Sequence, residues 1–287
     1  GFQRLEIIEA PSDNPDGRQT TGPTGSALSV QPMVQWIENM PATERIFAMF
    51  HTRTAHFPFV VAPPKAGSDP TGIEGLLWGD DLTPDAAEQR PGVAGGTAVQ
   101  GVGVSTNPND LRDALRRSGK AGLEAWRRTY AESMTRLDAD LGAVMDVLER
   151  TGRLDKTIMV VVSDHGESLG DHEEFLHGDS YFDGVVHVPL IVRVPGMSGR
   201  SSAIEPLVSH VDLTPTILDL VGAVVPAGVD GHSLVPMLSD PSTEVRKTAL
   251  IEGGVSWTPR DTMRGAVISP PWALLRQPLM CTPGTVE

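Results

Sequence analysis

A single cysteine, Cys281, in 287 residues excludes an intramolecular disulfide framework. It leaves the redox compartment open, because an oxidising space does not oblige a protein to carry cysteines. Long apolar runs are missing too. None approaches the roughly 20 residues that span a bilayer, so no segment reads as transmembrane. Positive charge is scarce: Lys and Arg number 23 against 37 Asp and Glu, a formal net charge of −14. Nucleic acid and anionic membrane both call for a basic footprint, and this balance argues against either as a partner. Lysine is the rarer cation (Lys65, Lys120, Lys156, Lys247), a bias that points to a GC-rich coding background more than to function.

What is present is a globular composition on the loop-rich side, with 39% hydrophobic residues, 30 Gly and 24 Pro. Wholesale disorder and a fibrous repeat do not fit it. Residues 1–29 read as an irregular polar segment. Residues 30–240 read as one α/β domain interrupted by a Gly/Pro-rich loop at 63–110. Residues 241–287 read as strands of a smaller, truncated subdomain. The start carries neither Met nor a basic-then-apolar leader, and the expectation is a piece of a longer protein.

Periodicity supplies the elements. Pro32–Asn39 predicts a short amphipathic helix, and Arg45–Phe50 a buried strand. Leu123, Trp126, Tyr130, Met134, Leu137, Leu141, Val144 and Leu148 form one apolar stripe, predicting a helix to Arg150 with Gly152 as its stop. Thr157–Val162 and Val188–Val194 read as strands, the first buried on both faces. Thr214 and Pro215 open a helix through Leu220, with Thr214 as N-cap and Gly222 as stop. Thr248–Glu252 and Gly265–Ile268 are further strands. Strands alternating with helices predict an α/β fold, a largely parallel sheet sandwiched by helices.

Chemistry concentrates between Val160 and Gly196. Four of the eight histidines (His165, His172, His177, His187) fall there, with seven acids from Asp164 to Asp183. Asp164 and His165 follow the apolar strand directly, and Gly166 comes next. In a parallel sheet, ligands gather beyond the carboxyl ends of the strands. A carboxylate and a neutral imidazole placed there can turn toward one cation. Asp171, His172 and His177 are close enough in sequence to line the same pocket. An Asp after a strand also serves as a helix N-cap, and a His is often a packing residue. The clustering favours the metal over these.

Ser163-Asp164-His165-Gly166-Glu167, Leu169-Gly170-Asp171-His172, Phe175-Leu176-His177-Gly178 and His187-Val188-Pro189-Leu190-Ile191 together resemble the C-terminal metal motif of sulfatases, in the alkaline-phosphatase-like superfamily. His51 to Pro58 resembles the family's His-x-Pro substrate motif. Ser209-His210-Val211-Asp212-Leu213-Thr214-Pro215-Thr216, with Gly231-His232-Ser233-Leu234, resembles a further family segment. The resemblance implies an alkaline-phosphatase-like fold, incomplete at its N-terminus, and hydrolysis of a sulfate ester. It implies Asp164 and His165 as ligands of a divalent metal, most often Ca2+, with Mn2+, Mg2+ or Zn2+ as alternatives. It implies that His56 contacts the sulfate or protonates the leaving oxygen, and that His177 sits on the sulfate, where many relatives carry Lys. His172 and His51 are read as supporting residues, His187 as packing, Asp138 as a structural helix residue, Asp212 as pinning the turn before its helix, and Arg53 as a weak candidate for substrate contact.

The family's nucleophile, a formylglycine made in a Cys/Ser-x-Pro-x-Arg motif, is expected outside this chain, so the chain alone is expected to be inactive. Cys281-Thr282-Pro283-Gly284-Thr285 imitates that motif but has Thr285 where Arg is required. Two other readings remain: a phosphodiesterase or phosphonate monoester hydrolase of the same superfamily, and a non-catalytic anion-binding relative. The implied partner is a small sulfated or phosphorylated substrate. Periplasmic or extracellular placement follows from the resemblance alone.

Overall fold

The computed structural model describes residues 30–52, 54–56, 108–177, 181–197, 203–253 and 264–276. The chain divides into two compact units, one drawing on Gly1–Thr157 and Glu167–Leu176, the other on Ile158–Gly166 and His177–Glu287. Most of the 63–110 tract, together with Arg53, Cys281 and the first 29 residues, lies outside the described residues.

The first unit is organised by helices. Helix α1 spans Gln31–Asn39 and buries Val34 and Ile37. Helix α2 spans Pro108–Arg150, longer than the stripe predicts, because two helical stretches join at Gly119. Gly119 has φ 59° and ψ −145°, a conformation essentially confined to glycine. The stripe does face the core: Trp126, Val144 and Leu148 are buried. Thr129 and Ser133 are buried as well, and their hydroxyls donate to the carbonyls of Ala125 and Tyr130 in their own helix. That satisfies them without an outside partner.

Helix α2 carries a small hairpin of β2 (Ser168–Leu169) and β3 (Phe175–Leu176). Trp126, Leu115, Ala125, Phe175 and Leu176 form its core. Trp126 Nε1 donates to the Ser168 carbonyl at 3.3 Å, and Arg112 Nε to that of Phe175 at 3.1 Å. Arg127 reaches the Leu169 carbonyl at 2.8 Å and Asp171 at 3.1 Å. Past the end of α2, Arg153 is buried and donates to the carbonyls of Met40, Pro41 and Glu44. It ties down the chain after α1. The predicted strand at Arg45–Phe50 does not form. Those residues are irregular and largely exposed, with Met49 at 81%.

The second unit contains β1 (Met159–Val162), α3 (Asp183–Val186), β4 (Leu190–Arg193), α4 (Leu213–Leu220) and α5 (Val235–Ser239). Its last strands are β5 (Ala249–Gly253), β6 (Arg264–Ser269) and β7 (Trp272–Arg276). The parallel sheet is not observed. Strands β1 and β4 pair antiparallel, Val162 opposite Leu190, and β5–β6–β7 is an antiparallel meander. β-branched runs identify strands but not their direction. A parallel return needs a crossover of about a dozen residues, usually helical. The connection from β1 to β4 offers, among the described residues, a helix of only 4 residues. Burial of β1 on both faces also fails, since Val162 is 38% exposed.

The turn before α4 differs from expectation too. The N-cap of α4 is Asp212, not Thr214. A short 3-10 turn, His210–Asp212, precedes the helix, with Ser209 and Asp212 forming a reciprocal capping box.

Candidate metal centre

The centre grows from the carboxyl end of β1. After Val162 the chain turns through Ser163, Asp164, His165 and Gly166. The His165 backbone N–H donates to Asp164 Oδ1 at 3.0 Å, and Ser163 Oγ donates to the His165 carbonyl at 2.5 Å. The Gly166 N–H donates to the Val185 carbonyl of α3 at 2.7 Å. Only glycine fits at 166, because a Cβ there would lie 2.1 Å from the Gly184 carbonyl oxygen.

The turn sets the chemistry of His165. Its Nδ1 donates to the Gly166 carbonyl at 2.9 Å. That fixes the tautomer and leaves the Nε2 lone pair outward, the usual arrangement behind a metal-bound histidine. Nε2 lies 3.7 Å from Asp164 Oδ2. Divalent ions bind imidazole nitrogen at ~2.0–2.1 Å and carboxylate oxygen at ~2.0–2.6 Å, so a single ion can bridge 3.7 Å at an open angle. Asp164 is 72% exposed and can turn toward an ion. The donor set therefore fits a divalent cation.

His177 stacks on His165, with ring centroids 4.1 Å apart and planes at 28°. One ring nitrogen of each lies within 4.8 Å of the other. All three side chains open onto a groove of about 1380 Å³ in this unit, which Tyr181, His187 and His210 also line. Asp171 and His172 are absent from that lining. They belong to the first unit, where Asp171 is paired with Arg127 and His172 is exposed. His56 also lies in the first unit, half-buried, after a turn in which the Thr52 and Thr54 hydroxyls are 2.7 Å apart.

Two residues without a role assigned from sequence stand behind this turn. Arg246 grips Asp212, donating from Nε to Oδ2 at 2.8 Å and from Nη2 to Oδ1. Asp212 is fully buried and also accepts from the backbone of Ser209 and His232. Burial pushes its carboxyl up, but the bonds from Arg246, His232 and Ser209 outweigh this and hold it below the usual carboxylate range. The second residue is His210, whose Nε2 donates to the Ser163 carbonyl at 2.8 Å.

Asp164, His165 and His177 thus line one groove at the end of β1. The sulfatase family model matches residues 2–223. The chain belongs to the sulfatase family, within the alkaline-phosphatase-like superfamily. Over 113 residues it is 41% identical to arylsulfatase K of Danio rerio, a stretch making up 39% of this chain and 21% of that protein. Over 119 residues it is 36% identical to PehA of Trinickia caryophylli, a multifunctional alkaline phosphatase superfamily protein, covering 41% and 23% of the two. The chain thus matches little more than a fifth of the length of these curated relatives. Among solved structures, BT4656 in complex with D-glucosamine-2-N,6-O-disulfate has a TM-score of 0.57 at 21% identity, over 85% of this chain and 59% of that one, a likeness of fold. Among the described residues no helix is long and apolar enough to cross a membrane.

Proposed function

We propose that this chain supplies part of the centre of a metal-dependent hydrolase that cleaves a sulfate ester. The observation that carries the reading is the Asp164–His165 pair, 3.7 Å apart with Nδ1 already committed to the Gly166 carbonyl. Asp164 and His165 would hold the divalent ion. When bound, such an ion draws the anionic ester and the nucleophile together and polarises the transferred group. The resemblance favours Ca2+. The imidazole donors suit Mn2+ or Zn2+ better, since Ca2+ prefers oxygen.

The roles of the chain's own residues follow from their chemistry. His177, beside the pair, donates a hydrogen bond from its ring to an oxygen of the transferred group. His56 gives a proton to the leaving oxygen, a role resting on its motif and on the ability of imidazole to move a proton near neutral pH. The nucleophile, a formylglycine by family resemblance, lies outside these residues. The substrate is a small sulfated molecule, and export to a periplasmic or extracellular space accords with the resemblance.

A second reading, hydrolysis of a phosphonate monoester or phosphodiester within the same superfamily, stands beside it, since PehA, 36% identical over 119 residues, is a multifunctional member of the alkaline phosphatase superfamily. The test compares hydrolysis of an aryl sulfate and an aryl phosphonate monoester by protein that includes the nucleophile segment. Sulfate hydrolysis abolished by Asp164→Ala supports the first reading, and phosphonate hydrolysis alone supports the second. Near-normal sulfate turnover in Asp164→Ala contradicts the assignment of the site.

A further inference from the structure

We infer that His210 is a positioning residue: its imidazole N–H pins the backbone of the turn that presents Asp164 and His165. The inference rests on the metal-site reading above and concerns a residue outside the ligand set.

The turn 163–166 is held at both ends. At its far end, the Gly166 N–H donates to the Val185 carbonyl at 2.7 Å. At its near end, His210 Nε2 donates to the Ser163 carbonyl at 2.8 Å. Ser163 directly precedes Asp164, so this bond fixes the peptide plane from which the carboxylate leaves the chain. His210 is well anchored in turn. It opens the 3-10 turn His210–Asp212, whose capping box is closed by Ser209 and Asp212. Asp212 is buried and clamped by Arg246 and the His232 N–H. A chain of bonds therefore runs from Arg246 through Asp212 to the turn that carries His210, which in turn bonds the Ser163 carbonyl. Groups that orient ligands without touching the ion change metal affinity by ~10–100-fold.

The test uses His210→Leu, which removes the donor, His210→Asn, too short to reach Ser163, and His210→Gln, whose amide N–H stands near the place of Nε2. Two quantities are read on the chain: hydrogen exchange of residues 163–166 without metal, and Mn2+ affinity. Leu and Asn should speed exchange in that turn and weaken Mn2+ binding about tenfold. Gln should restore both, and β5–β7 should exchange as before in all three. If Leu does not fold, Asn carries the test. Unchanged exchange at 163–166 in Leu or Asn, or equal losses in Gln and Leu, overturns the inference. Absence of Mn2+ binding in the unaltered chain overturns the metal-site reading instead, and hydrogen exchange still decides whether His210 pins the turn.

Discussion

His165 and His177 lie ring on ring, 4.1 Å between centroids, although the hairpin β2–β3 separates them in sequence. The excursion from Glu167 to Leu176 packs into the first unit and returns the chain at His177 in the second. Leu176, buried and just before His177, has φ 67°. The left-handed region costs an ordinary residue ~1–2 kcal/mol, and the packed core of the hairpin holds it there.

The proposed function assigns the two rings different tasks. His177→Ala should weaken sulfate binding to the metal-loaded protein by about 10–100-fold, the range for a lost hydrogen bond to a charged group. Mn2+ affinity should fall much less. Calorimetric titration with sulfate and with Mn2+ separates the effects. Equal losses for both ligands would make His177 a metal ligand instead of an anion contact.

Gly166 permits the closeness of the turn to α3. In Gly166→Ala the new methyl would sit 2.1 Å from the Gly184 carbonyl oxygen and 3.2 Å from Val185 Cα, both rigid backbone. One segment has to move, and the 2.7 Å bond from Gly166 to Val185 is lost with it. A stability loss of about 1–3 kcal/mol is expected, as for other overpacked sites, together with weaker Mn2+ binding. Thermal melts with and without Mn2+ check this. Native stability in the alanine variant would mean the turn is looser than described.

Asp212 ties acid stability to one carboxylate. Its folded-state pKa is depressed by Arg246, His232 and Ser209 against the opposing effect of burial. A depressed carboxylate contributes its stability above its unfolded pKa of ~3.9 and loses it as pH falls through the lower folded value. Unfolding measured from pH 6 downward should show a loss confined to the region below about pH 4. Asp212→Asn should cost about 3–5 kcal/mol at neutral pH, because it leaves Arg246 without its anion, and should flatten the acid limb. An acid limb of unchanged slope in Asp212→Asn would assign the loss to other carboxylates.

Local patterns in the sequence were legible where one element decides them. The α2 stripe, the strands β1, β4, β5 and β6 and the Asp164–His165 pair all follow from residue type and spacing. Strand direction was not, because it depends on whether 163–189 contains a crossover helix, and α3 is only 4 residues long. Arg45–Phe50 has the composition of a strand but adopts no regular structure. Strand β7, Trp272–Arg276, was missed; its place beside β6 is set by their antiparallel pairing, which short-range spacing does not show. Asp171 and His172 carried the right chemistry but fold with Arg127 and the hairpin. Arg246 and His210 act through contacts 34 and 47 residues away, which no local pattern encodes.

The central claim is that Asp164 and His165 jointly hold a divalent cation. Mn2+ relaxes nearby nuclei strongly, so a titration followed by histidine NMR resonances locates even weak binding. The His165 and His177 resonances should broaden first, ahead of His172 and His187, and Asp164→Asn should abolish that preference without changing the fold. Broadening that follows surface acidity in general, or that survives Asp164→Asn unchanged, would contradict a metal centre at the end of β1.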